Sequence, residues 1–199
     1  MTKRQEQAQE TKKRLREAAL SIFAEKDLLD TTIAEICKKA GVSVGNFYHY
    51  YKAKEEIVTE AYQVFDDEFL KALENKSYES CAEALEDFFC REIESASRLG
   101  PKSCSQLLQV QLRSAQDAYQ RVPGTDGFGR SYLRGLLQKG RKTGEVVCDE
   151  FTDEELAEKI RRLSYGILFD WSVREGGFDI MKAAKEDIRL FLGSFCGTK

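Results

Sequence analysis

Apolar residues recur at helical rather than alternating spacing along almost the whole chain, and only Pro101 and Pro123 punctuate it. That pattern predicts an all-α fold of about nine helices. The first, Thr11 to Glu25, puts Leu15, Ala18, Ala19, Ile22 and Phe23 on one stripe. Thr32-Ile33-Ala34-Glu35 reads as a capping box, in which the threonine oxygen accepts from the Glu35 amide while that carboxylate accepts from the threonine amide. The helix it opens carries Ile33, Ile36, Cys37 and Ala40 on one side and stops at Gly41, a residue able to take the left-handed conformation. Ser43 is suited to cap a third helix, Val44 to Tyr50. Two short helices joined by so tight a glycine-containing turn form a helix-turn-helix.

Within it, Val42 is expected to plug the turn, and Phe47, with Tyr50 or Tyr51, to anchor the third helix. Gly45, Asn46, Tyr48 and His49 fall on the opposite face. Phe47, Tyr48, His49, Tyr50 and Tyr51 cannot all turn inward on so short a helix, so some rings are presented to solvent or to a partner. Lys52 and Lys54 follow beside the start of the next helix, where ammonium groups and free amides suit a phosphate.

That next helix is expected to run from Lys54 to about Lys76, with Ile57, Ala61, Val64 or Phe65 and Phe69 facing a core. Ser80 to Glu83 reads as a second capping box, for a helix through Ser97 bearing Leu85, Phe88, Phe89 and Ile93. Helices over Ser103 to Tyr119 and Phe128 to Thr143 flank the loop-like segment Arg121 to Gly127. Thr152 to Glu155 caps a long helix with Leu156, Ile160, Leu163, Ile167 and Trp171 on one face, stopped by Gly176-Gly177. A last helix spans Asp179 to Phe195. The organisation expected is a helix-turn-helix domain over residues 1–54 and a second helical domain over residues 55–199.

At 199 residues, 42% hydrophobic and 33% charged, the chain can bury a core without metal or disulfide staples. The charge is uneven. Residues 1–54 hold 11 Lys+Arg against 7 Asp+Glu, a net of +4, and the remainder 20 against 27, a net of −7. A basic front end supports nucleic-acid binding, although moving the boundary to residue 64 adds Glu55, Glu56 and Glu60 and leaves only +1. No apolar stretch approaches the ~18 residues that cross a bilayer, and no apolar segment follows the charged N-terminus as in a secretion signal. A cytoplasmic protein without membrane contact is expected. Cys37, Cys81, Cys90, Cys104, Cys148 and Cys196 form no C-x-x-C pair and read as reduced, mostly buried thiols. With His49 the single histidine, zinc sites of the Cys/His kind and nucleophile-histidine pairs elsewhere are excluded, so no metal, no cofactor and no catalytic residue is expected.

The run from Thr31 to Glu55 resembles the DNA-binding signature of the TetR-type (TetR/AcrR) transcriptional regulators. Its marks are Ala40-Gly41-Val42-Ser43, a small residue at 45, the aromatic pair Phe47-Tyr48 and Lys52-Ala53-Lys54-Glu55. The resemblance implies that Tyr48, Lys54 and Thr32 hold the DNA backbone while Ser43, Val44, Gly45, Asn46 and His49 face the major groove. Phosphate contacts set register and base contacts set sequence. Asn46 is suited to pair with an adenine, His49 to reach a base or a phosphate, and Val44 to touch a thymine methyl. Two positions depart from the family pattern: Val44 stands where a long polar residue is common, and Lys26-Asp27-Leu28-Leu29 replaces a glycine between the first two helices.

The resemblance further implies a homodimer in which the last two helices pair with their copies, two heads ~34–36 Å apart reading a palindromic operator in double-stranded DNA. Candidate walls of an apolar effector cavity are Phe65, Phe69, Phe89, Leu108, Leu112, Tyr132, Tyr165 and Phe169, with Gln109, Arg113 or Arg162 as polar anchors. The function expected is a repressor released by a small-molecule effector whose identity the sequence does not disclose. The competing reading is a helical small-molecule-binding or redox-sensing module without operator binding, its thiols Cys104 near Lys102 or Cys37 beside Lys38.

Overall fold

A computed structural model describes residues 3–58, 60, 71–73, 76–98, 100–113 and 128–197 of the protein. The chain divides into two compact units, Met1–Val64 and Phe65–Lys199. Among the described residues the regular structure is helical, apart from one isolated antiparallel bridge, Val146 to Cys196.

In the first unit α1 spans Lys3–Glu25, α2 Ile33–Ala40 and α3 Val44–Tyr50. Helix α1 begins at Lys3 rather than Thr11. Residues 3 to 10 bury nothing, but Lys, Arg, Gln, Glu and Ala are strong helix formers and extend the helix without a buried face. Its stripe of Leu15, Ala18, Ala19 and Phe23 packs on α2, which in turn packs on α3. Leu28, Ile36, Cys37, Phe47, Tyr51, Ile57 and Val58 complete this small core. Residues 55–58 are helical, and Glu60 takes Lys12 at 2.5 Å and Arg16 at 3.1 Å, so the chain beyond Lys54 is tied into this unit. The expected core positions Ala61, Val64, Phe65 and Phe69 lie outside the described residues.

The second unit contains α4 (Cys81–Ser97), α5 (Gly100–Arg113), α6 (Phe128–Lys142), α7 (Asp153–Val173) and α8 (Ile180–Leu192). Helix α7 packs against each of the other four. Its inner face, Leu156, Ala157, Ile160, Ser164, Ile167, Leu168 and Trp171, meets Leu85, Phe88, Phe89, Ile93, Leu133, Leu137 and Ile188 in one core. Thr152 and Glu155 form the full capping box the sequence predicts. Ser80 forms only half of one: its hydroxyl accepts from the Glu83 amide at 3.1 Å, but the Glu83 carboxylate accepts from Glu79 N–H at 2.8 Å instead.

Gly140 lets three segments meet. A methyl there would collide with Cys81 Sγ and stand 2.8 Å from Val146 Cγ2. Glu145 fastens the same corner by accepting from Cys81 N–H at 2.6 Å, while Gly197 N–H donates to its carbonyl at 2.9 Å. Gly140→Ala is therefore expected to destabilise the protein by roughly 1–3 kcal/mol through overpacking, read as a lowered denaturant midpoint at unchanged slope.

Candidate nucleic-acid interface

The turn between α2 and α3 is built from three local interactions. Thr32 Oγ1 accepts from Glu35 N–H at 3.2 Å and Glu35 Oε2 from Thr32 N–H at 2.7 Å, which fixes where α2 begins. Gly41 ends it at φ 66°, ψ 40°, with its N–H donating to the carbonyls of Cys37 and Lys38. A side chain at that φ is strained, so glycine is the residue that lets the chain reverse here. Ser43 then caps α3, its hydroxyl accepting from Asn46 N–H at 3.2 Å.

Helix α3 buries a single side chain, Phe47, whose ring meets Tyr51 at 5.7 Å between centroids. Tyr51, rather than Tyr50, is the second anchor: it is buried, while Tyr50 is half-buried against His49. Ser43, Val44, Gly45, Tyr48 and His49 are exposed and Asn46 is half-buried, so the face read from the sequence as outward does point outward. Tyr48 is 57% exposed and its ring stands edge-on to Phe47 at 5.5 Å, an aromatic held rigid yet offered to solvent. A Cβ added at Gly45 would meet nothing within 4 Å. Glycine inside a helix costs about 0.5–1 kcal/mol relative to alanine, and no packing within the chain requires it here. The room it leaves opens to the outside.

The basic residues divide their work. Lys52 is exposed, but its N–H donates to Glu56 Oε2 at 2.9 Å, so one amide expected at a phosphate site is engaged within the protein. Lys54 is half-buried and its ammonium donates to the carbonyls of Leu29 at 3.1 Å and Thr31 at 2.6 Å. It thereby closes the segment that lacks the glycine common in the family. These two bonds engage two of its three ammonium donors. Thr32 is exposed at the start of α2, beside this lysine-held loop.

The family model described as "Bacterial regulatory proteins, tetR family" matches residues 15–61. The HTH-type transcriptional repressor KstR2 of Mycobacterium tuberculosis is 36% identical over 182 residues, covering 90% of each chain. The chain belongs to the TetR family. It is a DNA-binding transcriptional regulator. Two solved TetR-type structures share its fold. FadR of Bacillus subtilis in complex with stearoyl-CoA aligns with a TM-score of 0.73 at 19% identity, covering 92% of this chain and 98% of that one. FadR of Thermus thermophilus in complex with lauroyl-CoA aligns with a TM-score of 0.65 at 23% identity, covering 94% and 96%.

In the TetR body, the candidate effector residues are not gathered into one lining. Phe89 is sealed in the core, and Tyr132 is half-buried with its ring stacked on Phe88 at 5.5 Å. Leu108 is half-buried, whereas Leu112 is 75% and Phe169 57% exposed, and Tyr165 lies at the surface edge of α7. Phe65 and Phe69 lie outside the described residues. Of the suggested anchors, Arg162 lines an outer groove of α7 and Gln109 donates to Ser105 Oγ at 3.5 Å. The residue missed is the neighbour of Arg162. Arg161 is buried within the core, and its signal in the sequence is its place at i+4 from Ala157 and i−7 from Leu168, on the inner stripe of α7.

Cys37 and Cys104, the two thiols suggested for a redox sensor, are both buried. Burial pushes Cys37, Cys90 and Cys104 above the ordinary thiol value of 9.0, Cys81 to about 12 and Cys196 to about 11. A buried neutral thiol is a poor nucleophile. Among the described residues no helix is long and apolar enough to cross a membrane, and no cluster of three His, Cys, Asp or Glu side chains is placed to hold a metal.

The capping box has a pH signature. The hydrogen bond from Lys26, together with those from Thr32, draws Glu35 from an ordinary 4.5 to about 2. A folded-state value below the unfolded one means stabilisation that is complete above pH 4.5 and fades as pH falls through about 2. Thermal melts between pH 5 and pH 2 are expected to show a smaller acid loss for Glu35→Gln than for wild type.

Proposed function

We propose that the protein is a homodimeric cytoplasmic repressor that grips a palindromic operator with the outward row of α3. Ser43, Val44, Gly45, Asn46 and His49 meet base edges in the major groove, Asn46 pairing with an adenine and Val44 packing on a thymine methyl. Tyr48, Lys52, Thr32 and the third donor of Lys54 hold phosphates on either side. The observation that carries this reading is Gly45, an exposed helical glycine whose missing side chain serves no contact inside the chain. Close approach of an external surface accounts for it.

A second copy is supported by the outer face of α7 and α8. Phe169, Val173 and Leu190 are 57%, 65% and 80% exposed, and a groove of about 420 Å³ is lined by residues of the same two helices, Arg162, Arg174, Asp170 and Asp187 among them. Apolar residues this exposed form a face that a second copy related by a twofold axis can cover. For the effector, two structural neighbours hold acyl-CoA molecules, so an apolar-tailed thioester is the class we assign. Its binding lowers operator affinity by the difference between its affinities for the two states.

Duplexes selected from a random pool by the intact protein should converge on a palindrome. Against that duplex, Lys52→Ala is expected to reduce the salt slope of log K by about one, whereas Asn46→Ala should cost about 1–3 kcal/mol and relax preference at one base pair per half-site. Gly45→Ala should do two opposite things: raise the melting temperature slightly, and weaken operator binding by about tenfold or more. A Gly45→Ala protein that binds the operator as wild type does would remove the main support for this reading. Phe169→Glu with Leu190→Glu should give a monomer in sedimentation and lose operator binding at concentrations where wild type is saturated.

A further inference from the structure

Arg161 is 4% exposed, on the inner face of α7 between Ala157 and Ser164. Bringing a guanidinium into a core costs several kcal/mol unless its donors and its charge are met. Here the two needs are met unequally. Nη2 donates to Tyr165 Oη at 2.9 Å. Glu92 lies across on α4 with Oε1 3.5 Å from Nη1, near enough to balance the charge, while its Oε2 is held by the hydroxyl of Ser164 at 2.7 Å. Among the described residues Nη1 itself forms no hydrogen bond. The cation is thus fixed through Nη2 and faced by the Glu92 carboxylate at Nη1, which makes no hydrogen bond among the described residues.

Besides the Glu92 carboxylate, Nη1 meets small and aromatic groups. It lies against Gly129, where an added Cβ would come within 3.3 Å of it and 3.5 Å of the Phe88 ring, and Tyr132 stacks on Phe88. Apolar and aromatic walls with a few convergent donors are the usual make-up of a small-molecule site. We infer that Arg161 is the effector-recognising residue of the body, its Nη1 donating to the carbonyl oxygen at the head of an apolar-chain thioester or ester. The inference rests on the ligand-responsive reading above and names the group that reading lacks. A neutral carbonyl fits better than a carboxylate, because Glu92 already balances the guanidinium and a second anion would be repelled by it. Gly129 belongs to the same device, since any side chain there would cover Nη1.

The test uses the full-length protein with lauroyl-CoA and free laurate as probes, measuring probe affinity, operator affinity and melting temperature. Removing Arg161 alone would strand the Glu92 carboxylate, so the variant is Arg161→Met with Glu92→Gln. Expected are lauroyl-CoA binding to wild type about tenfold or more tighter than laurate, and loss of about tenfold or more in lauroyl-CoA affinity in the double variant. Operator affinity without probe should stay near wild type, and a melting temperature near wild type shows that the double variant is folded, since replacing a buried ion pair by neutral residues of similar volume is close to neutral. Unchanged lauroyl-CoA binding in the double variant, tighter binding of laurate than of the thioester, or binding of neither probe by wild type would overturn the inference. Failure of the regulatory reading is seen separately, as wild-type protein that binds lauroyl-CoA but no duplex.

Discussion

Everything the head can do depends on one buried ring. Helix α3 is only seven residues long, far below the length at which a helix persists in water, and Phe47 is its single buried side chain. Burying a phenylalanine is worth roughly 1.5–3 kcal/mol, and the Ser43 cap adds about 1 kcal/mol. Those two interactions, with Tyr51 closing behind Phe47, hold the helix against α2 and leave its remaining positions to face outward. Because the anchor sits at the middle of the helix, Val44 and Gly45 on one side and Tyr48 and His49 on the other form a continuous exposed row. A second inward residue in α3 would have removed part of that row.

The body obeys a different constraint. Helix α7 touches each of the other four helices described in its unit and so has almost no free choice on its inner face. An arginine on that face is retained at a cost in desolvation, with Glu92, Ser164 and Tyr165 arranged to hold it. Stability alone favours an apolar residue in such a place. The outer face of the same helix carries Phe169 and Val173 in the open, the reverse of what a self-sufficient unit shows. On the proposed function, a ligand accounts for the inner charge of this helix and a second copy for its outer apolar surface.

Much of this was legible in the amino-acid sequence because the interactions concerned are local. The Thr32 and Thr152 capping boxes, the Gly41 stop and the Ser43 cap each lie within a few residues, and each determines where a helix begins or ends. What was not legible involves residues far apart in the chain. Lys54 reaches back to the carbonyls of Leu29 and Thr31, and Arg161 meets Glu92 across two helices. The Val146 to Cys196 bridge also depends on distant segments meeting. The early start of α1 escaped for the opposite reason: residues 3 to 10 have no buried face, so hydrophobic periodicity carries no information about them. The effector residues were read least well, since periodicity marks Phe89 and Phe169 alike as inward although one is sealed and the other exposed.

The central claim is that the exposed row of α3 is where DNA lies. Amide hydrogen exchange of the intact protein, with and without a duplex selected from a random pool, tests it directly. The account predicts added protection over residues 43–50 and around Thr32, with the core of α7 unchanged. Protection confined to α7 and α8, with residues 43–50 exchanging as in the free protein, would contradict it.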